Sequence, residues 1–443
     1  MHSKTFHGGI HPPEEKSFTE KQAFEFMPLP KQVILPLSQH LGKQSSPLVK
    51  KGAVVTAGML VAQADGFISA PVYSPVNGTV ASLGKETNSS GFPKDAIVIN
   101  VNGQTEVSLF EPLDIDQISA EDIRERVKLA GIVGQGGAAF PTFVKLSPPA
   151  DKKIDYVILN GCECEPYLTR DFRFMMERPE AVIGGLKLIM RALGVGKGAI
   201  GIENNKPEAI ELLIKQVHNE NNLEVVSLKT KYPQGAEKML IKAVTGKEVP
   251  PGKLPMDVGA VIQNIGTAVA IYDAVVKGEP SITAALTVTG KGIKNPKNLI
   301  VPIGTTITDV IEYCGGVTED AAKVIVGGPM MGVAQYDLSA PVMKATSGIV
   351  VLTKDEVKQQ PDTACLKCGQ CVDVCPLNLM PTRLVRYSQL GKFEDAEQLG
   401  ITVCMECGTC AYTCPANIPL VQWLRLGKQE VIKMQRERAA STK

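Results

Sequence analysis

From Ser119 onward the apolar residues change from one period to another and back. Ser119-Ala-Glu-Asp122 is an N-cap followed by acidic first-turn residues, and it predicts a helix running to Ala130. Beyond a glycine-rich loop, β-branched runs alternate with amphipathic stretches. Strands are expected at 155–160, 199–203, 223–229 and 260–263, and helices at 179–193, 207–219, 236–244 and 267–276. Gly194 stops the first of these helices and Pro207 opens the second. Such alternation argues for a parallel sheet with helices on its faces. Upstream, from Val33 to about Val107, the runs are short and β-type, punctuated by Gly52, Gly58, Gly66, Gly78 and Gly84. Downstream, strands at 282–290, 301–307, 323–326 and 348–352 with a short helix at 308–313 predict a small β-grasp-like unit.

The flanks read differently. Residues 1–30 are rich in Gly and Pro and are expected to run extended over a surface. Residues 354–361 are polar and form a linker. After Pro419, apolar Leu420, Trp423, Leu424, Val431 and Met434 recur at helical spacing among Arg425, Lys428, Lys433, Arg436 and Arg438. That is a packing helix with a solvated basic face, or a contact with anionic lipid or a membrane partner.

Composition narrows the function classes. With 443 residues and a formal charge of +1, the chain has room for several domains and no global field that would favour nucleic acid. Its most apolar windows, 181–193 and 258–276, are broken by Lys187 and Arg191 or by Gln263, Asn264 and Asp273. Neither reaches the roughly 18 apolar residues of a membrane helix. The N-terminus has no apolar core of a signal peptide.

The densest chemistry lies in the cysteines. Eight of eleven fall in two runs, Cys365, Cys368, Cys371, Cys375-Pro and Cys404, Cys407, Cys410, Cys414-Pro. Three cysteines at i, i+3 and i+6 can hold three irons of a cubane, with the fourth ligand coming from the other run. This gives [4Fe–4S] cluster one from Cys365, Cys368, Cys371 and Cys414, and cluster two from Cys404, Cys407, Cys410 and Cys375. Two all-cysteine zinc sites are the alternative, though zinc usually takes paired C-x-x-C knuckles. Keeping such thiolates loaded needs a reducing, cytoplasmic-side compartment. Cys162 and Cys164 are expected to be unmodified thiols, Cys314 a small buried residue, and His7 and His11 exposed.

The second candidate site is Gly134-Gln-Gly136-Gly137-Ala-Ala139-Phe140-Pro-Thr-Phe-Val-Lys145. It satisfies the letters of a G-x-G-x-x-A fingerprint, but that fingerprint must follow a strand, and a helix precedes it here. What remains is a backbone able to approach phosphate oxygens, with Lys145 nearby. Residues 49–58 and 71–80 resemble a biotinyl/lipoyl-type barrel-sandwich whose expected tip, Ala64-Asp65-Gly66-Phe67, lacks the modifiable lysine. A structural or docking role is expected in place of a carrier arm.

The glycine loop resembles the G-R-G-G-A-G-F-P-T-x-x-K segment of the flavoprotein subunit of respiratory complex I. Asn160-Gly-Cys162-Glu163-Cys164-Glu165-Pro166 is similar to that family's N-A-D-E-S-E-P, Tyr232-Pro-Gln-Gly235-Ala236-Glu237-Lys238 to Y-I-C-G-E-E-T, and Gln263-Asn264-Ile265-Gly266-Thr267 to N-N-V-E-T. Six positions depart from the pattern: Gln135 for Arg, Ala139 for Gly, Cys162 for Asp, Ala236 for Glu, Gln263 for Asn and Gly266 for Glu. Over the whole chain the domain order resembles the RnfC family, the C subunits of Rnf-type ion-translocating oxidoreductases.

The resemblance implies a multidomain α/β fold. Its parts are an extended segment 1–30, a barrel-sandwich hybrid 31–115, a Rossmann-like FMN/NADH domain 116–279 and an SLBB-like β-grasp unit 280–353. A ferredoxin-type α-helical double-cubane domain 354–430 and a basic tail 431–443 complete it. It implies non-covalent FMN contacts from Gly134, Gly136, Gly137, Lys145, Asn160, Glu163, Gly235, Gln263, Asn264 and Thr267. NADH contacts are implied from Phe140 (stacking on adenine), Glu165 and Glu237. No side chain is expected to act as a nucleophile or base, because the cofactors carry the chemistry. The expected role is that of a peripheral subunit on the cytoplasmic face of the cell membrane. It would pass electrons between NAD(H), FMN and the clusters, with ferredoxin as the indirect carrier. Partner subunits, integral membrane ones and an iron–sulfur one, would move Na⁺ or H⁺. The alternatives are a soluble diaphorase like the cobalamin-reductase subunit, and an electron-wire scaffold with a degenerate flavin site.

Overall fold

The computed structural model describes residues 3–103, 107–357 and 361–441. Part of the expected linker (358–360) and the last two residues of the expected tail lie outside the described residues.

The central sheet is parallel and four-stranded, in the order Leu223–Leu228, Gly198–Glu203, Tyr156–Gly161, Ala260–Asn264. Helices Pro179–Leu193 and Pro207–Val217 both start on proline, and Gly194 closes the first at φ 66°. Ser119 caps Ala120–Leu129 by accepting from Asp122 N–H. Leu186, Leu188, Ile189, Ile200 and Ile202 are nearly inaccessible to solvent in the core between helices and sheet. Because the sheet grows one way from Tyr156–Gly161 and then adds Ala260–Asn264 on its other side, the connections part between these two strands. Ligands of open parallel sheets sit at the carboxyl ends of the strands at such a point.

The N-terminal β-domain pairs a four-stranded antiparallel sheet with a three-stranded one. Its inward residues Val33, Leu35, Ile97 and Ile99 share one continuous hydrophobic core with Leu286, Val288, Leu299 and Val301 of the β-grasp unit. The two units therefore share a core, which sequence periodicity does not reveal. The β-grasp sheet is mixed and six-stranded, flanked by helix Ile307–Tyr313.

Residues 4–26 run largely extended and mostly exposed, as expected, but they are pinned to three units by a few buried residues. Lys4 bridges Leu228, Ile10 bridges Tyr232, and Phe24–Phe26 adds a parallel edge strand beside Lys297–Pro302. Lys16 and Thr19 are buried. Gly8 and Gly9 let the chain pass close to its neighbours, since a Cβ there would lie 3.1 Å from Cys375 O and 2.7 Å from Tyr232 O. The C-terminal helix Leu420–Ser441 is continuous, so the boundary expected at 430/431 falls inside it. Among the described residues no helix is long and apolar enough to cross a membrane.

Candidate functional site

Asn160 and Asn264 are register partners at the strand ends where the crevice opens. The glycine loop crosses this opening. Gly134 N–H donates to Phe140 O at 2.9 Å, and Gln135 N–H donates to Thr267 Oγ1 at 3.0 Å. A Cβ on Gly136 would lie 2.8 Å from Asn264 Nδ2, while one on Gly137 would meet nothing within 4 Å. Gly136 is thus packed on the strand end, and Gly137 borders open space. Ala139, where the resembled pattern has glycine, holds φ 53°, a left-handed conformation that costs a non-glycine residue about 1–2 kcal/mol.

Behind the loop lies Arg170, 2% exposed, which donates to Gln135 O at 3.3 Å, Asn264 Oδ1 at 3.1 Å and Asp171 Oδ1 at 2.7 Å. Asn264 Nδ2 in turn donates to Asp171 Oδ2 at 2.6 Å. No motif points to Arg170 or Asp171, since the contacts that bury them are about 35 and 94 positions away in the chain. Two of the six departures prove to be neighbours. A Cβ on Gly266 would sit 2.6 Å from Gln135 Oε1, so the Gln135 side chain occupies the space that a larger residue at 266 would need.

Other expected residues meet in pairs. Lys145 Nζ reaches Glu237 Oε1 at 2.8 Å and Ile262 O at 3.1 Å, and Asn160 Nδ2 donates to Gly235 O at 2.7 Å. Gln263 Nε2 and both polar side-chain atoms of the neighbouring-segment Gln234 are buried with no partner in the protein. Orphaned buried amides are costly, at roughly 1–3 kcal/mol each. Gln263 lies on the strand end expected at the flavin, and FMN, a flat ring edged with N–H and C=O groups, has the complementary chemistry for such an amide. Gly137→Ala is accordingly expected to leave the melting temperature of the flavin-free chain unchanged and to weaken FMN binding at least about tenfold, or 1.4 kcal/mol. Gly136→Ala should lower both. Titrating FMN into the two apo variants checks this.

Loop 162–168 is held from outside. Lys16 Nζ donates to Glu163 O at 2.9 Å, Glu165 O at 3.0 Å and Leu168 O at 2.6 Å, and Lys206 Nζ donates to Cys162 O at 2.7 Å. Glu163, at φ 48°, accepts from Asp171 N–H at 2.6 Å and Phe172 N–H at 3.2 Å, capping helix Arg170–Glu177. Glu165 accepts from Met330 N–H at 3.0 Å and Met331 N–H at 2.9 Å, on a turn of the β-grasp unit. Both carboxylates are thus engaged inside the protein, and Phe140 is half-buried beside the loop. Burial pushes the thiols of Cys162 and Cys164 up, so both stay protonated at neutral pH.

Burial also pushes Glu165 from 4.5 up to about 7. Between those values the folded chain holds a proton that the unfolded chain has lost, so stability falls as pH rises through this window. Glu165→Gln removes the effect. Its stability relative to wild type should rise by about 2–3 kcal/mol between pH 5 and 8, measured by urea unfolding of the apo chain.

In the C-terminal unit the two cysteine runs adopt one backbone twice. Lys367 and Glu406, Gly369 and Gly408, and Asn378 and Asn417 all have positive φ at matching positions of the two motifs. One cavity is lined by Cys375, Cys404, Cys407 and Cys410, the other by Cys365, Cys368, Cys371 and Cys414. Sulfur acceptors are already supplied with donors: Leu379 N–H to Cys375 Sγ and Glu406 N–H to Cys404 Sγ, each at 3.4 Å. Among the described residues no three His, Cys, Asp or Glu side chains gather closely enough for a single ion. Each cavity takes three cysteines of one run and the last cysteine of the other, the ligand pattern of paired cubanes.

The two cavities differ in surroundings. Tyr232, 1% exposed, donates its hydroxyl to Cys407 O at 2.8 Å, and Gly9 N–H donates to Val374 O at 2.9 Å. Tyr232, Ile10 and Cys407 pack with Cys164, Met330, Val374 and Met405 in one apolar cluster. The first cavity therefore abuts the crevice unit. The second has exposed Cys365 and Cys368, with Leu366 65% exposed between them.

A flavin-type crevice packed against paired cubane cavities defines a flavin- and iron–sulfur-dependent electron-transfer protein. Residues 4–104 match the RnfC barrel sandwich hybrid domain, 127–273 the Nuo51 FMN-binding domain, 286–334 the SLBB domain and 364–418 the 4Fe-4S dicluster domain. The chain is 47% identical to the C subunit of the Na(+)-translocating ferredoxin:NAD(+) oxidoreductase complex of Acetobacterium woodii, covering 98% of each. It is 46% identical to the C subunit of the proton-translocating ferredoxin:NAD(+) oxidoreductase complex of Clostridium ljungdahlii, over 89% of this chain and 87% of that one. With the C subunit of the ion-translocating oxidoreductase complex of Rhodobacter capsulatus it shares 41% identity over 98% of this chain and 85% of the relative. The chain belongs to this family, the C subunits of Rnf-type ion-translocating oxidoreductases.

Proposed function

We propose that this chain is the nicotinamide-facing subunit of an ion-translocating ferredoxin:NAD⁺ oxidoreductase complex, carrying FMN and two [4Fe–4S] clusters. FMN exchanges two electrons with nicotinamide and single electrons with iron–sulfur centres, which is why both kinds of group are needed. The chain's own residues bind, orient and insulate. In this reading Gly134, Gly136, Gly137, Lys145, Asn160, Gly235, Gln263, Asn264 and Thr267 line the flavin site, and Phe140 and Glu237 stand at the nucleotide side. Glu163 and Glu165 act through the loop they brace. Cys375, Cys404, Cys407 and Cys410 hold one cluster, and Cys365, Cys368, Cys371 and Cys414 the other.

The observation that carries the proposal is the Tyr232–Cys407 junction, which presses one cysteine cavity against the crevice unit while the other cavity keeps two cysteines exposed. The exposed side suits an iron–sulfur partner subunit. Integral membrane subunits would hold the chain at the cytoplasmic face and supply the Na⁺ or H⁺ path. A stand-alone diaphorase and a flavin-free scaffold are both less favoured, since the relatives are complex subunits and residues 127–273 match an FMN-binding domain. Anaerobic reconstitution should give a flavin spectrum under the broad iron–sulfur band, and NADH should bleach it. Iron and sulfide without any bound flavin would sink the proposal.

A further inference from the structure

Among the described residues, none of the N-terminal β-domain is assigned to the flavin or cluster sites, yet its tip meets the glycine loop. Two of its loops, 39–43 and 64–69, are knitted together. His40 Nε2 lies 3.0 Å from Lys43 O, 3.2 Å from Ala70 N and 3.2 Å from Ser69 Oγ. Lys43 N–H donates to Ile68 O at 3.0 Å, and Lys43 Nζ pairs with Asp65 at 2.9 Å. Gly42 sits at φ 113°, where a Cβ would come within 2.1 Å of Ile68 O. The braced pair then meets the glycine loop. Leu41 N–H donates to Ala139 O at 3.3 Å, and the Phe67 ring stands edge-on to Phe143 with centroids 5.6 Å apart.

The placement is fixed from behind as well. The buried Lys344 ammonium donates to Pro71 O at 2.6 Å in the β-domain and to Gly131 O at 2.7 Å, just before the glycine loop. Despite these ties Leu41, Phe67 and Ile68 remain 51%, 64% and 40% exposed. Next to them Gly136, Gly137 and Ala138 are exposed too. An apolar, aromatic-tipped surface held this rigidly at the mouth of a crevice is a wall awaiting a ligand.

Resting on the electron-transfer function proposed for this chain, we propose that loops 39–43 and 64–69 form the outer wall of the nicotinamide-nucleotide site, with Leu41 and Phe67 as affinity-determining residues for its adenosine half. The redox ring of the nucleotide must reach the flavin at the strand ends. The other half of so long a molecule then has to leave over the glycine loop, past Ala139 and Phe140, where Leu41 and Phe67 stand. Aromatic rings stack on nucleobases with enough energy to be measured singly.

The test uses the reconstituted full chain, NADH with ferricyanide as acceptor, and ADP-ribose as a competitive probe that lacks the nicotinamide ring. Phe67→Ala and Leu41→Ser should each raise the KM for NADH and the Ki for ADP-ribose by roughly fivefold or more, a stacking-sized loss. kcat, FMN content and melting temperature should stay at wild-type values. Should Phe67→Ala lose FMN, Phe67→Leu decides, because it keeps an apolar contact with Phe143 but not a flat ring. Unchanged KM and Ki in both variants overturn the wall while turnover remains normal. Absent turnover in the wild type would instead overturn the electron-transfer reading, so the two failures are distinguishable.

Discussion

Cys407→Ser is expected to remove about half of roughly eight irons per chain and to slow NADH-driven reduction of the surviving cluster by about a hundredfold, some 2.7 kcal/mol of barrier. FMN content and NADH bleaching of the flavin should survive. The asymmetry follows from packing. Cys407 lines the cavity that meets Tyr232, whereas the cavity with Cys365 and Cys368 lies away from the crevice. Cys368→Ser should lose the same amount of iron yet keep fast reduction of the remaining cluster. Iron assay with stopped-flow absorbance separates the two variants. If Cys407→Ser passes electrons onward at the wild-type rate, the cluster beside Tyr232 is not the first to receive them.

Lys16→Met is expected to destabilise the fold by about 3–5 kcal/mol and to strip FMN during gel filtration. Three carbonyl oxygens, of Glu163, Glu165 and Leu168, lose one shared donor. Buried acceptors left unpaired cost roughly 1–3 kcal/mol each, against a total stability of about 5–15 kcal/mol. Burial already pulls the Lys16 pKa below its usual value. The ammonium is thus retained for its three bonds, against a desolvation penalty. Wild-type melting and flavin content in the variant would show that loop 162–168 stands without it.

Both expectations rest on contacts across long stretches of chain, which is where sequence patterns stop being informative. Periodicity places helix Pro179–Leu193 to the residue and each central strand to within a residue or so, because one apolar face against the sheet dictates the pattern. The glycine loop is also readable, since backbone approach demands glycine wherever it occurs. Helix Arg170–Glu177 is missing from the expected elements, although Phe174 and Met175 bury one side of it. Its buried Arg170–Asp171 pair looks like any surface charge until the partners at 135 and 264 are known. Glu163 and Glu165 are expected at cofactors. The structure engages their oxygens with backbone N–H groups on neighbouring segments, a use of a carboxylate that local sequence cannot distinguish from ligand binding.

The segment 4–26 touches the α/β unit at Leu228, the cluster unit at Val374 and the β-grasp sheet at Asn298. That one stretch therefore ties three units together across most of the length of the polypeptide. Because Gly9 N–H holds Val374 O beside Cys375, any shift of this segment is felt at a cluster cavity as well as at the β-grasp sheet.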